Sequence, residues 1–202
     1  MKIICVGRNY LAHAQELGHD KPTEPVLFLK PDTALKRKNL PFFLPDFSKE
    51  VHYEAELVFR ICKNGKNIDE RFALRYVDQV TVGIDFTARD LQRRLQQKGL
   101  PWEIAKAFDQ SACIGEWRPL SLFRIDDLSF HLTRNHKLVQ QGNSACMIFS
   151  VSQLIAYASR FFLLLEGDLL FTGTPQGVGP VYANDILHGY LQQECVLECV
   201  VK

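Results

Sequence analysis

The sequence predicts an α+β, strand-rich fold, and three observations lead to it. Short apolar runs bounded by glycine or proline recur along the chain, as in "MKIICVG", "PVLFLKP" and "QVTVGIDF". Substantial helical patterns are few, chiefly "TARDLQRRLQQKGLP" and "VSQLIAYASRFFLLL". Strands and helices do not alternate as repeated βαβ units require, which argues against a doubly wound parallel sheet.

The elements follow in order. "MKIICVG" is a short buried strand ending at Gly7, and "NYLAHAQEL" has helical composition that stops near Gly18. "PVLFLKP" is a strand bracketed by prolines, followed by irregular connection through "KPDTALKRKNLPFFLPDFSKE". "HYEAELVFR" reads as a half-buried strand and "QVTVGIDF" as a strand running to Asp85, before a polar helix closed by Gly99 and Pro101. Residues 128–150 resemble a β-hairpin region, and an amphipathic helix follows. "EGDLLFTGTPQGVGP" packs four glycines and two prolines around one strand, a composition that brings backbone close to something. "ECVLECVVK" is the last strand, with Cys195 and Cys199 on one face.

Length and composition bound the function. A chain of 202 residues with 47% hydrophobic content can build one sizeable core. Its net charge of +1 arises from 24 basic and 23 acidic residues spread along the chain, which leaves no basic face for nucleic acid or anionic lipid. Six cysteines without a C-x-x-C pair read as small buried hydrophobes in a reducing compartment rather than zinc ligands or disulfides. No segment approaches the roughly 20 apolar residues of a membrane span, and the N-terminal apolar run is too short for a signal peptide. The expectation is a cytoplasmic protein with a small-molecule substrate.

The chemistry centres on "HYEAELVFR". Strand alternation points Glu54 and Glu56 the same way, so two like charges crowd on an apolar element unless a cation, a proton or water compensates them. Asp85 ends another apolar strand, at a position expected to open on a cleft, and would complete a hard, all-oxygen set suited to Mg²⁺ or Mn²⁺. Spacing alone leaves open the alternative of a solvated strand face paired with surface lysines.

The resemblance adds what spacing leaves open. "HYEAELV", "GIDFTARDLQ", "GLPWEIAKAFD" and "LLEGDLLFTGTPQGVGP" occur in the order and approximate spacing of the fumarylacetoacetate hydrolase superfamily, and "GRNYLAHAQEL" resembles the N-terminal segment of its acylpyruvase-like branch. The resemblance covers nearly the whole chain. It implies a mixed β-sheet roll with peripheral helices, a single catalytic domain over 1–202 with an N-terminal strand and lid segment (1–45) and a metal-binding core (46–202), and a homodimer. It also implies that Glu54, Glu56 and Asp85 bind the divalent ion. Two stretches depart from the family pattern: "RNHK" at 134–137, where Asn-Gly-Glu is common, and "AND" at 183–185, where Gly-Asp is common. His136 and His188 read as surface or structural histidines.

His13 and Glu16 lie three apart on a predicted short helix, where a carboxylate can orient an imidazole, although an exposed i,i+3 pair has the same spacing. The resemblance implies that this pair activates water as general base and orienting group. Lys106, in a largely apolar segment, would neutralise a substrate oxyanion by family position, the ordinary reading being a snorkelling surface lysine. Arg89 and Gln92 can present a guanidinium and an amide to a carboxylate, while Arg89 could equally pair with Asp90 or Glu103. Thr174 resembles the family's substrate-contacting threonine; a tight turn also explains its glycine neighbours.

A 2-oxo acid chelated to Mg²⁺ can have its enolate stabilised, so one site could serve acylpyruvate hydrolysis, oxaloacetate decarboxylation or keto–enol tautomerisation. Hydrolysis ranks first because only it needs a base to aim water, and His13 with Glu16 supply one. A catalytically silent metabolite-binding module and a Cys-His hydrolase are the rivals; retention of the whole residue set argues against the first, and no cysteine has a nucleophile context for the second. The N-terminal segment is expected to close over the site with ligand. Amide exchange across residues 9–20 should slow when oxalate is added with Mg²⁺, and unchanged exchange at saturation would refute a lid.

Overall fold

The computed structural model describes residues 1–12, 21–38 and 40–202. Its largest sheet runs β2 (Val26–Lys30), β1 (Ile3–Gly7), β11 (Leu169–Phe171), β4 (Ala55–Ile61), β5 (Val77–Asp85) and β7 (Ala112–Ile114), with β8 (Arg118–Pro119) also pairing β5. β1 and β11 are parallel and the other pairs antiparallel, so the sheet is mixed. A second sheet joins β10 (Lys137–Asn143), β9 (Ser129–Arg134), β13 (Ile186–Leu191) and β14 (Glu194–Val200). A small third sheet joins β12 (Gly179–Pro180), β3 (Val51–Tyr53) and β6 (Thr87–Ala88). The α+β, strand-rich class is observed, with helices at Arg89–Gln97, Glu103–Lys106 and Val151–Phe161. Among the described residues no helix is long and apolar enough to cross a membrane.

The expected strand "HYEAELVFR" is two strands. Glu54 separates β3, in the small sheet, from β4, in the large one; on the neighbouring run Phe86 separates β5 from β6 in the same way. Asp85 N–H donates to the Glu54 carbonyl at 2.8 Å, so the two chains change sheet side by side. Such corners take carboxylate-bearing residues out of the regular ladder and aim them between sheets.

β4 is also covered on both faces rather than half-buried. Leu57, Phe59 and Ile61 join the main core, whereas Val58 joins a second cluster with Ile3, Cys5, Leu169 and Phe171, roofed by Phe28, Leu35 and Trp117. Burial on two faces removes the period-2 polarity that an exposed face would impose.

Two further expectations change. The helix from Val151 is capped by a Ser150–Gln153 capping box but ends at Phe161, because Leu164 leaves it for an antiparallel bridge with Gly65. Cys195 and Cys199 do not share a face: the β13–β14 register shifts between Gly189 and Tyr190, burying both Val196 and Leu197 and leaving Cys195 exposed opposite buried Cys199. The hairpin expected within 128–150 is present as β9 and β10, turned at Asn135 and His136, both at positive φ.

The loop after β1 is pinned by fully buried Asn9. Its Nδ2 donates to the Thr172 and Phe149 carbonyls at 2.8 and 3.1 Å, and its Oδ1 accepts from Phe149 N–H at 2.8 Å. This ties the start of the chain to the glycine-rich loop after β11. Asn9→Ala leaves those three backbone groups without their partner and should lower unfolding free energy by about 2–4 kcal/mol. A urea midpoint measured at unchanged m checks it.

Candidate metal centre

The sheet corner gathers Glu54, Glu56 and Asp85, whose oxygens lie within 4.8 Å of one another. All three are buried, Asp85 completely, and all three line one small cleft. Three carboxylates this close and this dry repel strongly unless cations reach them.

Three cations do. Lys106 Nζ bridges Glu54 Oε2 at 2.7 Å and Asp85 Oδ2 at 2.8 Å. Lys30, at the end of β2, places Nζ 2.7 Å from Asp85 Oδ1. Lys30 is fully buried, and its ammonium is also within hydrogen-bonding distance of Ser111 Oγ and of the Lys106 and Ser111 carbonyls. Arg89 spreads its fork between Glu54 Oε1 and Gln92 Oε1. Its carboxylate partner is therefore Glu54 and not Asp90, which accepts instead from Ser48 Oγ and Lys49 N–H. The helix Arg89–Gln97 turns Arg89, Gln92 and Leu95 inward at helical spacing.

Glu56 is the exception. Gly173 N–H donates to its Oε2 at 2.7 Å, but among the described residues it has no ion pair. Gly173 has a φ of +97°, and a Cβ there would meet Asn9 Cβ at 2.8 Å, so only glycine lets this N–H approach. Burial first, then Asp85 and Glu54, push the Glu56 carboxyl well above its ordinary range. Burial pulls the Lys106 ammonium down, but Asp85 and Glu54 outweigh it and leave Lys106 raised and charged. An all-oxygen, buried set in which one carboxylate has no cation partner among the described residues fits a divalent ion that prefers hard ligands.

Above the carboxylates the cleft is lined by Arg8, Phe28, Gln92, Gln96, Trp102 and Thr174. Gln140, 2% exposed, supports Thr174 from beneath by donating to its Oγ1 at 2.9 Å. The structure thus brings together Glu54, Glu56, Asp85, Arg89, Gln92, Lys106 and Thr174 from four separate stretches of chain. His13 and Glu16 lie outside the described residues. Sequence reasoning missed Lys30, Gln140 and Ser111. A lysine closing the apolar run "VLFLK" was a signal for the first; nothing local marks the other two.

The model of the family described as fumarylacetoacetate (FAA) hydrolase, C-terminal, matches residues 2–199. The chain belongs to the fumarylacetoacetate hydrolase family. This family member is 41% identical over 186 residues to the mitochondrial oxaloacetate tautomerase FAHD1 of Homo sapiens, covering 91% of this chain and 83% of the relative. It is 40% identical to the oxaloacetate tautomerase YcgM of Escherichia coli, covering 92% of this chain and 86% of that one. The fumarylpyruvate hydrolase of Pseudomonas aeruginosa, solved in complex with Mn²⁺ and pyruvate, superimposes with a TM-score of 0.94 at 40% identity, covering 100% of this chain and 89% of that one. The mixed sheet roll with peripheral helices implied by the sequence resemblance is thus the fold observed.

The raised Glu56 carboxyl has a thermodynamic signature. A carboxyl raised in the folded state holds its proton longer than in the unfolded chain, so above its ordinary value near 4.5 the metal-free fold loses stability as pH rises. In mildly alkaline buffer with EDTA, Glu56→Gln should melt above the metal-free native protein. The difference should shrink as the pH falls towards the ordinary carboxylate value, and saturating Mg²⁺ should reverse the order by stabilising only the native protein. Calorimetric scans read both effects.

Proposed function

We propose that this protein is a divalent-metal-dependent enzyme of small 2-oxo acids that interconverts the keto and enol forms of oxaloacetate. The observation that carries the reading is the buried Glu54–Glu56–Asp85 set with Lys106 bridging two of its members, beneath a cleft lined by Gln92 and Thr174. Two relatives about 40% identical over most of the chain bear the name oxaloacetate tautomerase. Mg²⁺ or Mn²⁺, when bound, supplies fixed positive charge for the negative charge that develops on the 2-oxo oxygen.

The chain's own residues do the rest. Gln92 and Thr174 orient the substrate carboxylate, while Arg89, committed to Glu54 and Gln92, holds those two side chains in register. Lys106 pairs with Glu54 and Asp85 and adds a cation to the floor of the cleft. Phe28 and Trp102 exclude water from one wall. In tautomerisation a C–H bond at C3 breaks and an O–H bond forms at the 2-oxo oxygen; His13, oriented by Glu16, is the proposed carrier of that proton.

A second reading, hydrolysis of an acylpyruvate to pyruvate and a carboxylate, is supported by the Pseudomonas aeruginosa structure with pyruvate. There His13 would aim water at the distal carbonyl, and the bond between that carbon and C3 would break with its electron pair passing to the pyruvate fragment. A homodimer belongs to the same proposal, supported by the apolar groove of Leu29, Phe47, Leu91, Ile104 and Phe108 and readable by sedimentation. A cytoplasmic location is supported by six free cysteines.

Enol loss from oxaloacetate, pyruvate release from acylpyruvates and CO₂ release are the assays, each with and without EDTA. Asp85→Ala should abolish Mg²⁺ binding by calorimetry together with every activity; unchanged Mg²⁺ affinity would refute the ligand assignment. His13→Ala should cut tautomerisation and hydrolysis by roughly 10²–10⁴-fold, the usual worth of a positioned base, and spare decarboxylation, which needs neither proton abstraction nor water. Whichever of tautomerisation and hydrolysis has the higher kcat/KM in the native protein is its main reaction.

A further inference from the structure

Gln140 has a chemistry that the reaction as described does not use. Its carboxamide is 2% exposed and makes three hydrogen bonds. Oε1 accepts from Ala55 N–H at 2.9 Å, while Nε2 donates to Thr174 Oγ1 and to the Pro175 carbonyl, each at 2.9 Å. The two backbone partners settle which end is which: an N–H needs an oxygen opposite it and a C=O needs an N–H. The amide therefore cannot flip without losing both.

The direction of the amide fixes the direction of the threonine. One lone pair of Thr174 Oγ1 is taken by Gln140, so the hydroxyl proton must point elsewhere. Its other oxygen neighbour, the Pro175 carbonyl, is at 3.5 Å, the outer limit of a hydrogen bond, and already accepts from Gln140. The remaining direction is the cleft, which Thr174 lines.

The backbone is shaped for this. The β9–β10 register shifts between Leu138 and Gln140, a bulge of the kind that re-aims a side chain next to a site. Gly177, at a φ of +94°, lies so near that a Cβ would meet the Val139 carbonyl at 2.6 Å, which presses the loop carrying Thr174 against the bulge. Ala55, the other anchor, stands between two of the carboxylates.

We infer that Gln140 is a positioning residue that holds Thr174 as an obligate hydrogen-bond donor to the substrate carboxylate and fixes its distance from the Glu54–Glu56 strand. It rests on the functional reading above in one respect, that an anionic oxygen of the ligand occupies the cleft. The geometry selects acceptors there: a carboxylate is favoured, and a ligand presenting an N–H or O–H donor to Thr174 meets a proton.

The test uses Gln140→Glu, which offers an acceptor at both ends and so draws the Thr174 proton away from the cleft, and Gln140→Met, of similar shape without polar atoms. Oxalate binding with saturating Mg²⁺ is measured by calorimetry in both variants, alone and combined with Thr174→Val, with Mg²⁺ affinity measured separately. Each Gln140 variant should weaken oxalate about 10–100-fold, the range of one hydrogen bond to a charged group. Mg²⁺ affinity should stay within about threefold, and in the Thr174→Val background the further loss should vanish, since positioned pairs are non-additive. With oxaloacetate the loss should fall mainly on KM. Equal losses with and without the Thr174 hydroxyl, or unchanged oxalate affinity, would overturn the inference. Should Gln140→Glu not fold, the Met pair alone decides. A native protein that binds Mg²⁺ and oxalate without turning over oxaloacetate would sink the functional reading and leave the Gln140 test intact, whereas one that binds Mg²⁺ but not oxalate would overturn this inference.

Discussion

Mutual repulsion among Glu54, Glu56 and Asp85 is the constraint on which the rest of the structure depends. Their oxygens lie within 4.8 Å of one another in a buried corner. Ionised carboxylates there are tolerable only with compensation at hydrogen-bonding distance, and the fold delivers it from elements far apart in sequence. β2 brings Lys30, the helix Arg89–Gln97 brings Arg89, and the helix Glu103–Lys106 brings Lys106. Three anions against three cations would be neutral, but the cations are shared unevenly: Glu54 and Asp85 each have two and Glu56 none among the described residues. That asymmetry makes Glu56 the carboxylate whose burial a divalent ion would compensate.

The corner itself is made by strands that change sheet. Because β3–β4 and β5–β6 break side by side at Glu54 and Phe86, the residues at the breaks leave the ladder together and converge. The glycine-rich loop after β11 closes the third side. Asn9 and Gly173 interlock there, so the first strand, the loop that donates to Glu56 and the threonine facing the cleft form one hydrogen-bonded unit. Gln140 connects that unit to Ala55 from below. A displacement of any one of these would be felt at the carboxylates.

The strands, the two long helices and the carboxylate pair were legible in the sequence because each rests on local period or composition. Reading failed where tertiary cover replaced solvent. The E-x-E strand looked half-buried, since Glu54, Glu56 and Arg60 break its apolar run, yet both faces are covered and the glutamates point into the interior. "VSQLIAYASRFFLLL" looked helical to its end, but a bridge to Gly65 draws the last residues away. A single bulge separated Cys195 from Cys199. Bulges and bridges are set by a partner strand, and one strand's own residues carry no record of them.

By itself the sequence determined the strand-rich class, the hard-ligand character of the Glu54–Glu56–Asp85 set and, through ordered motifs, the family. Those are properties of residue type and spacing, which any fold of this chain must respect. Only the tertiary structure decided how the charges are settled: that Lys30 is a buried partner of Asp85, that Arg89 belongs to Glu54, that Asp85 is fully buried beneath the cleft it lines, and that Gln140 faces Thr174. Each is a contact between residues at least 34 positions apart, apart from Arg89 with its helical neighbour, or the burial of one side chain by several such strangers. The energy of a buried charge depends on which opposite charge lies within a few ångströms, and that distance exists only once the sheets have closed on one another.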